Sequence, residues 1–219
     1  SSEANEAPAH VVKFSKSYYI GMLEVTQAQW TAIMGSNPSD IKGDNLPVNN
    51  IKYSDATKFI EKLNEKTGLT FRLPTEAEWE FAARGGDPSK TEWKYAYAGV
   101  QTEKSPENFE IIYTDEPLND YAWYKDNSND SSQPVAIKQP NHLGIYDLTG
   151  NVSEWCMDWY DTYPAEAQQN PQGASKGAYR VYRGGSWHDK AVDSRVTCRI
   201  GGKTEYRSSD LGLRLALQP

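Results

Sequence analysis

The 219-residue chain carries 23 Lys and Arg against 30 Asp and Glu, a net charge of −7, with no basic run. Nucleic acid is therefore not an expected partner, since phosphate binding depends on clustered positive charge. The hydrophobic fraction is 37%, and no apolar stretch approaches the roughly 20 residues of a membrane span. In the absence of a linker or repeat, residues 1–219 are predicted to form a single domain.

The first elements predicted along the chain are two strands and a helix. Residues 10–14 alternate polar and apolar side chains, and residues 18–25 form a second β-like stretch. Thr26 followed by Gln29 is typical of a capping box, and Gly35 is placed to end the helix that this box begins.

Two further helices are predicted before residue 87. One begins at Ser54 and ends before Gly68, and the other covers residues 76–84 behind a capping box formed by Thr75 and Glu78. Glu76 and Glu78 could form a paired-carboxylate acid–base site. We interpret them instead as first-turn charges that the helix dipole favours.

Residues 87–134 have little regular pattern and are rich in Asp, Asn, Ser and Pro. Such stretches often form binding surface, and this one contains scattered aromatic residues: Trp93, Tyr95, Tyr97, Phe109, Tyr113, Tyr121, Trp123 and Tyr124. Further strands are predicted at residues 152–160, 179–183, 195–199 and 211–217.

Three oxygen-bearing side chains surround a glycine turn in the middle of the chain. Asp147, Asn151 and Glu154 lie within eight residues of one another, on either side of Gly150. Such a supply of oxygens suits a hard cation such as calcium. The alternative is that these side chains cap the turn and pair with arginines.

Four segments, in order, resemble the formylglycine-generating enzyme (sulfatase-modifying factor) superfamily, whose fold is a variant of the C-type lectin fold. They are residues 72–86 (RLPTEAEWEFAARGG), 141–160 (NHLGIYDLTGNVSEWCMDWY), 183–187 (RGGSW) and 211–216 (LGLRLA). The resemblance implies an α+β fold with few short helices, twisted antiparallel strands and much loop. It does not by itself imply the chemistry, because sites vary on a shared fold.

Members that generate formylglycine oxidise a substrate cysteine with molecular oxygen, using a copper ion held by two cysteine thiolates near the C-terminus. Soft sulfur ligands of this kind select Cu(I). The register that the resemblance implies puts Ala191 and Val196 at those positions, and neither side chain can bind copper. The chain's two cysteines, Cys156 and Cys198, are either a disulfide or free thiols. No copper is expected.

The resemblance also implies a structural calcium ion at the glycine turn. The family's ligands correspond here to the side chains of Asp147 and Glu154 and the backbone carbonyls of Gly150 and Val152. An Asp at the first of these positions is a good ligand for a hard cation. Calcium is therefore the cofactor expected from the resemblance, and its role would be to hold the turn.

Residues 188–210 contain no asparagine, although many non-catalytic relatives are rich in asparagine there. The residue types present include His, Asp, Ser, Thr, Cys, Ile, Gly and Tyr, all reachable from an asparagine codon by changing its adenines. This pattern is similar to the variable proteins of diversity-generating retroelements, which use the same segment to contact ligands. Ordinary divergence of a surface loop is the alternative.

The sequence thus predicts a non-catalytic, extracytoplasmic module that binds a protein, peptide or glycan. The alternatives are a formylglycine-generating oxidase acting on a sulfatase cysteine, and an accessory domain of a larger extracytoplasmic protein. The expected ligand-binding residues share the C-terminal segment: Trp187, His188, Asp189, Asp193, Ser194, Thr197, Cys198, Ile200, Tyr206, Ser208 and Asp210.

Overall fold

A computed structural model of the chain describes residues 4–100 and 118–218. Within these ranges three α-helices span Gln27–Met34 (α1), Tyr53–Thr67 (α2) and Glu76–Ala83 (α3). The strands are Val12–Lys13 (β1), Tyr19–Ile20 (β2), Phe71–Arg72 (β3), Ser153–Trp159 (β4), Gln168–Gln169 (β5), Arg180–Arg183 (β6), Arg199–Gly202 (β7), Leu211–Gly212 (β8) and Ala216–Leu217 (β9). The predicted α+β class, with few short helices and much loop, is confirmed.

Both predicted capping boxes are present. Thr26 Oγ1 accepts from the Gln29 amide at 3.3 Å, and the Gln29 side chain accepts from the Thr26 amide at 3.0 Å. Thr75 and Glu78 make the same reciprocal pair at the start of α3. Helix α1 ends at Gly35 with φ +77°, a left-handed conformation that glycine adopts without strain. Both ends of α1 and the start of α3 are therefore fixed by local sequence.

The largest sheet has the strand order β7-β6-β4-β8, in which β4 and β8 are parallel and the other neighbours antiparallel. Its register places Glu154, Arg183 and Arg199 side by side. The next row contains Trp155, Tyr182 and Ile200. Because side chains alternate along a strand, the sheet has one charged face and one aromatic face.

Two smaller sheets connect distant parts of the chain. The antiparallel sheet β2-β9-β3 pairs Tyr19 and Phe71 with Leu217 of the last strand. The parallel pair β1-β5 joins Val12 to Gln168. Both ends of the described chain are thus held by pairing with residues far away in sequence.

The prediction of a strand at residues 195–199 is wrong in its bounds. A short 3-10 helix covers Ala191–Ser194, the Cys198 amide then donates to the Arg195 carbonyl in a turn, and the strand starts only at Arg199. Residues 18–25 and 211–217 are likewise interrupted. Gly21 and Val25 bond to the carbonyls of residues 215 and 213 outside regular strand geometry.

The apolar core consists of two main clusters on either side of the four-stranded sheet. In one, Trp30 stacks on Phe59 with ring centroids 4.9 Å apart, next to the fully buried Trp155. In the other, Trp79 of α3 packs with Cys156 and neighbouring aliphatic side chains. Within the described ranges, no helix is both long and apolar enough to cross a membrane.

Several aromatic residues of the loosely patterned region are core rather than surface. Tyr97 and Tyr124 belong to a third buried cluster and are 4% and 1% exposed. Tyr95 is also buried. The expectation that such residues contribute to a binding surface does not hold for these three. Phe109 and Tyr113 lie outside the described residues.

The acidic residues of α3 are buried in ion pairs, not simply placed at its first turn. Glu78 pairs with Arg72 at 2.6 Å, and Glu76 pairs with Arg199 at 2.6 Å. Glu80, although only partly buried, bonds to Arg183 of β6. The sequence-based interpretation of Glu76 and Glu78 as dipole-favoured charges therefore missed their main partners, which are remote in sequence.

Gly150 allows a close approach of two backbone segments. Its φ is +78°, and a Cβ added there would lie 2.0 Å from the carbonyl oxygen of Trp123. We expect Gly150→Ala to destabilise the protein by more than about 3 kcal/mol, since the clash adds to left-handed strain. Urea unfolding measures this loss.

Gly35→Ala is the matched control. Gly35 has nearly the same φ, +77°, but no atom lies within 4 Å of its added Cβ. The control loses only about 1 kcal/mol. Equal losses for the two variants would contradict the close approach at Gly150.

Candidate functional site

The turn at Gly150 joins three separate segments through its backbone. The Gly150 amide donates to the Gly184 carbonyl at 2.9 Å, and the Asn151 amide donates to the Trp123 carbonyl at 2.7 Å. The Asn151 carbonyl in turn accepts from the Trp187 amide at 2.8 Å. The two glycine-containing motifs predicted to matter, at 150 and at 184–185, are therefore adjacent in space.

A buried ion pair lies directly after this turn. Arg214 donates to both carboxylate oxygens of Glu154, the shortest distance being 2.7 Å, and the Trp79 indole donates to Glu154 at 2.6 Å. Arg214 and Glu154 are both 0% exposed. Burial alone lowers the pKa of Arg214, but the adjacent Glu154 carboxylate outweighs that effect and raises the pKa above its usual value.

A second buried carboxylate holds the turn from the other side. Glu24 Oε2 accepts from the Asn151 amide side chain at 2.7 Å, and Oε1 accepts from the Val152 backbone amide at 3.0 Å. Burial, with the nearby charges of Asp147 and Glu154, raises the pKa of Glu24 well above its usual value. Glu24 was not among the residues that the sequence indicated. Its one available signal was an acidic residue between the apolar residues of the 18–25 stretch.

Asp147 supplies a third buried carboxylate. Its Oδ2 accepts from the Ala136 backbone amide at 2.9 Å, whereas its buried Oδ1 has no hydrogen-bond partner. Burial raises the pKa of Asp147. Arg214 is paired to Glu154, and the carboxyl groups of Glu24 and Asp147, whose neutral forms burial favours, lie beside that pair.

This arrangement fits the expected calcium ligands in part. The buried Oδ1 of Asp147 has no hydrogen-bond partner, and Glu154 is close enough to raise the pKa of Asp147. Glu154 is itself committed to Arg214 and Trp79. No group of three or more His, Cys, Asp or Glu side chains able to hold a metal occurs among the described residues. A cation here would therefore depend on backbone carbonyls as well.

The predicted ligand-binding residues divide into two groups. In the first, Ser186 Oγ lies 2.6 Å from Asp189 Oδ2 and 3.1 Å from Asp210 Oδ2. The Trp187 indole donates to the Ser209 carbonyl at 3.1 Å, and the His188 ring packs edge-on against Trp187. We call this group the C-terminal face; its members are Ser186, Trp187, His188, Asp189, Ser208 and Asp210, with Tyr182, Ile200 and Tyr206.

The aromatic row of the sheet extends this face. Tyr206 stacks on Tyr182 with an interplanar angle of 18°, and Ile200 is the cross-strand partner of Tyr182. Ile200 and Tyr206 are 38% and 44% exposed. Tyr182 and Ser186 were not among the predicted residues, although they lie between those residues and connect them.

Asp189 of the C-terminal face lies close to two other carboxylates, which disfavour its charged form. Burial raises the pKa of Asp189, and the carboxylates of Asp210 and Asp193 raise it further, while the bond to Ser186 lowers it. Two carboxylates that share one hydroxyl donor favour a positively charged or hydrogen-bond-donating partner.

The second group lies beside the N-terminal segment. Thr197 contacts Arg195, which forms an ion pair with Glu6 at 2.8 Å. Cys198 Sγ lies 3.6 Å from a Glu6 oxygen. Asp193, in the 3-10 helix, is partly buried. Thr197 and Cys198 are thus placed away from the contacts that build the C-terminal face.

Ser194 does not reach the surface. It is 0% exposed and packs so closely under Gly185 that a Cβ there would lie 2.3 Å from its Oγ. This burial does not agree with the prediction that Ser194 contacts a ligand. The physical reason is the short 3-10 helix Ala191–Ser194, an element that the sequence did not predict, which places the Ser194 side chain in the interior.

The two cysteines are separate free thiols. Cys156 is buried in the apolar cluster of α3, and burial raises its pKa well above the usual value. Burial likewise raises the pKa of Cys198 to about 11. Of the positions aligned with copper ligands, Val196 is buried and Ala191 packs against the third core cluster. These side chains do not fit a two-thiolate copper site.

The helices, the curled short sheets and the glycine turn define a C-type-lectin-like fold of the formylglycine-generating type. The profile described as "Sulfatase-modifying factor enzyme 1-like domain" matches residues 1–219, and the chain belongs to this family. The similarity extends over nearly the whole chain in each comparison below.

Relatives of the chain have different described roles. A chaperone protein LppX of Paenibacillus barcinonensis is 30% identical over 89% of this chain and 76% of its own length. A formylglycine-generating enzyme of Streptomyces coelicolor is 36% identical over 89% of this chain, which spans 60% of that enzyme.

Solved structures show the same architecture. Treponema denticola variable protein 1 superposes with a TM-score of 0.83 at 33% identity, covering 96% of this chain and 87% of that one. PvdO of Pseudomonas aeruginosa gives a TM-score of 0.78 at 24% identity over 99% of this chain and 86% of its own, a likeness of fold alone.

The buried Glu154–Arg214 pair allows a direct test of what holds the turn. Arg214→Met leaves a buried carboxylate without its partner, so we expect a loss of about 3–5 kcal/mol of unfolding free energy. Adding Glu154→Gln in the same chain removes the stranded charge and recovers part of the loss. Denaturant unfolding of the single and double variants measures both effects.

An exposed ion pair provides the control. Lys52 and Glu205 lie 2.6 Å apart with side chains 34% and 68% exposed. Glu205→Gln is expected to change stability by less than about 1 kcal/mol. A similarly small effect of Arg214→Met would contradict the role of the buried pair.

Proposed function

We propose that the chain is a non-catalytic ligand-binding module that uses the C-terminal face to contact a protein, peptide or glycan. The observation that carries the proposal is that residues 186–210 combine side chains that hold the backbone with side chains that are exposed to solvent. Trp187 is bonded at both its backbone amide and its indole, while the adjacent His188 is exposed.

This combination of fixed and exposed side chains suits a surface whose exposed side chains can be exchanged. Ile200 projects from a paired strand and Tyr206 from a turn held by the bond from its amide to the Lys203 carbonyl. A backbone fixed by its own hydrogen bonds allows the exposed side chains to vary without loss of the fold. The likeness to a Treponema denticola variable protein supports the same reading.

The chemistry of the face favours a particular kind of ligand. Asp189 and Asp210 supply negative charge close to Tyr182, on which Tyr206 stacks. Aromatic residues are enriched at protein interfaces, where they bury large areas at low entropic cost. A ligand surface bearing lysine or arginine side chains complements both features.

A substitution series tests the exchangeable surface. We expect the triple variant His188→Ala, Ile200→Ala and Tyr206→Ala to retain stability within about 1 kcal/mol of the parent, because exposed positions contribute little. Trp187→Ala, which removes an anchoring indole, is expected to destabilise the protein by about 2 kcal/mol or more. Thermal and urea unfolding compare the two. A triple variant that unfolds as readily as Trp187→Ala would contradict the proposal.

The second candidate function is formylglycine generation, favoured by the 36% identity to the Streptomyces coelicolor enzyme. Oxygen consumption by the Cu(I)-loaded protein, on a peptide bearing the sulfatase cysteine motif, separates the two. We expect no turnover, because Ala191 and Val196 occupy the copper-ligand positions. Aldehyde formation on the peptide, with the Streptomyces enzyme as the active control, would establish the oxidase instead.

We also propose a structural calcium ion at the Gly150 turn, held by Asp147 and Glu154 with the carbonyls of Gly150 and Val152. The unpartnered buried oxygen of Asp147 supports this assignment. The ion would supply positive charge to a region with excess carboxylates, and it would have no part in any reaction.

Calcium binding to the folded state alone raises stability by about 2.7 kcal/mol when the free ion is at 100 times its Kd. We therefore expect calcium chloride to raise the Tm of the parent and of Asp193→Asn, but not that of Asp147→Asn. Magnesium chloride at the same ionic strength controls for salt. An unchanged Tm in the parent would exclude the site.

A further inference from the structure

A cleft of about 620 Å³ lies on the opposite side of α3 from the apolar core and is distinct from the contacts of the C-terminal face. One wall is α3 itself, at Ala77, Glu80 and Phe81. The N-terminal segment, residues 6–14, forms the second wall, and residues 161–174 form the third. We call it the α3 cleft.

Asp158 lies at the floor of the α3 cleft and is only 3% exposed. Its Oδ2 accepts from the Glu76 backbone amide at 2.8 Å, at the start of α3. Its Oδ1 accepts no hydrogen bond from any described residue. Burial is the main cause that raises the pKa of Asp158 to about 7. A buried carboxylate with one free oxygen therefore faces the cleft.

Apart from the exposed Asp161, the other carboxylates around the cleft already have partners. Glu76 is paired with Arg199, Glu80 with Arg84, and Glu6 with Arg195. The two charges of each pair neutralise each other, so the Asp158 carboxylate is the buried charge that a ligand can compensate. A buried charge is costly unless it is paired, so a cation that can donate hydrogen bonds suits the Asp158 carboxylate as a partner.

Apolar and aromatic side chains cover the rest of the cleft wall. Phe14, Phe81 and Trp93 form an edge-to-face row, with ring centroids 5.3 Å and 5.7 Å apart. Such rings pack against an apolar ligand body and attract a cation to their faces. Gly173 lies close beside the carboxylate, and its lack of a side chain allows this approach, since a Cβ there would lie only 3.0 Å from Asp158 Oδ1.

We propose that the α3 cleft binds a primary ammonium group carried on a small aromatic or alkyl body, with Asp158 accepting its hydrogen bonds. Phe14, Phe81 and Trp93 enclose the apolar body. A neutral polyol is disfavoured, because it leaves the charge of the buried carboxylate uncompensated. The ammonium group can come from a free amine or from the lysine side chain of a polypeptide.

Calorimetric titration of the whole chain with two matched compounds tests this assignment. Phenethylammonium and 2-phenylethanol share a ring and a two-carbon chain, and only the first is charged. We expect the amine to bind about tenfold or more tightly than the alcohol, and to shift the indole N–H signals of Trp93 and Trp159, which line the cleft. Equal affinities, no binding, or unmoved indole signals would overturn the proposal.

Asp158→Asn keeps the acceptor for the Glu76 amide but removes the charge. We expect it to abolish the preference for the amine over the alcohol. Asp161→Asn makes the same charge change at the exposed rim of the cleft and is expected to leave that preference within about twofold, because exposed charges are screened. An Asp158→Asn protein that still prefers the amine would overturn the proposal.

Ala77→Met provides a test that does not alter Asp158. Ala77 lies on the cleft side of α3 and is not fully buried, and Met is a good helix former, so the variant should fold while its side chain fills the cleft. We expect it to lose amine binding about tenfold or more. Unchanged amine affinity in this variant would place the binding site elsewhere.

Capped amino acids distinguish the two sources of the ammonium group. N-acetyl-lysine methylamide is compared with its norleucine counterpart, which has the same chain without the charge. Tighter binding of capped lysine than of phenethylammonium assigns the cleft to lysine side chains of polypeptides. The reverse order assigns it to free amines. In either case the norleucine compound is expected to bind more weakly than the lysine compound, and its equal binding would overturn the assignment.

Discussion

The ion pair between Glu154 and Arg214 connects more of the molecule than any other contact described above. Arg214 bonds to Glu154 of β4 and also to the carbonyls of Gly21 and Tyr146, while Glu154 receives the indole of Trp79 from α3. The C-terminal segment, the N-terminal segment, the central strand and a helix therefore meet at two side chains. Such a buried pair adds little net stability over apolar packing, but it allows only one arrangement of these segments.

Ion pairs between arginines and buried carboxylates also occur along the charged face of the four-stranded sheet. Arg183 and Arg199 lie in register with Glu154 and take the carboxylates of α3 as partners. Because each guanidinium presents several donors in a fixed plane, helix and sheet are held at a defined distance and angle. Asp158 lies four residues after Glu154 on β4, and no arginine in the described part of the chain forms an ion pair with it. At Asp158 the row of arginine–carboxylate pairs is interrupted, and Asp158 lines the α3 cleft.

The opposite face of the sheet has a different use. Its aromatic row runs from the buried Trp155 through Tyr182 to the exposed Tyr206 and Ile200. Because each ring packs against the next, the exposed end of the row is held by contacts that extend into the buried core. Residues at its exposed end can be exchanged with little effect on packing, whereas residues at its buried end cannot. The C-terminal face is the exposed end of this row.

Local sequence by itself determined both ends of α1, the start of α3, the long strand β4 and the special position of Gly150. These features depend on side chains that bond to their own neighbours, or on a residue with no Cβ, and such causes are visible in a short segment. The ordered motifs also determined the fold class through their resemblance to a family. Only the tertiary structure decided that Glu76 and Glu78 are buried beside arginines, that Ser194 points inward, and that Glu24 supports the turn. Those outcomes depend on partners as far as 128 residues away, and no local pattern specifies which distant charge a buried carboxylate will meet.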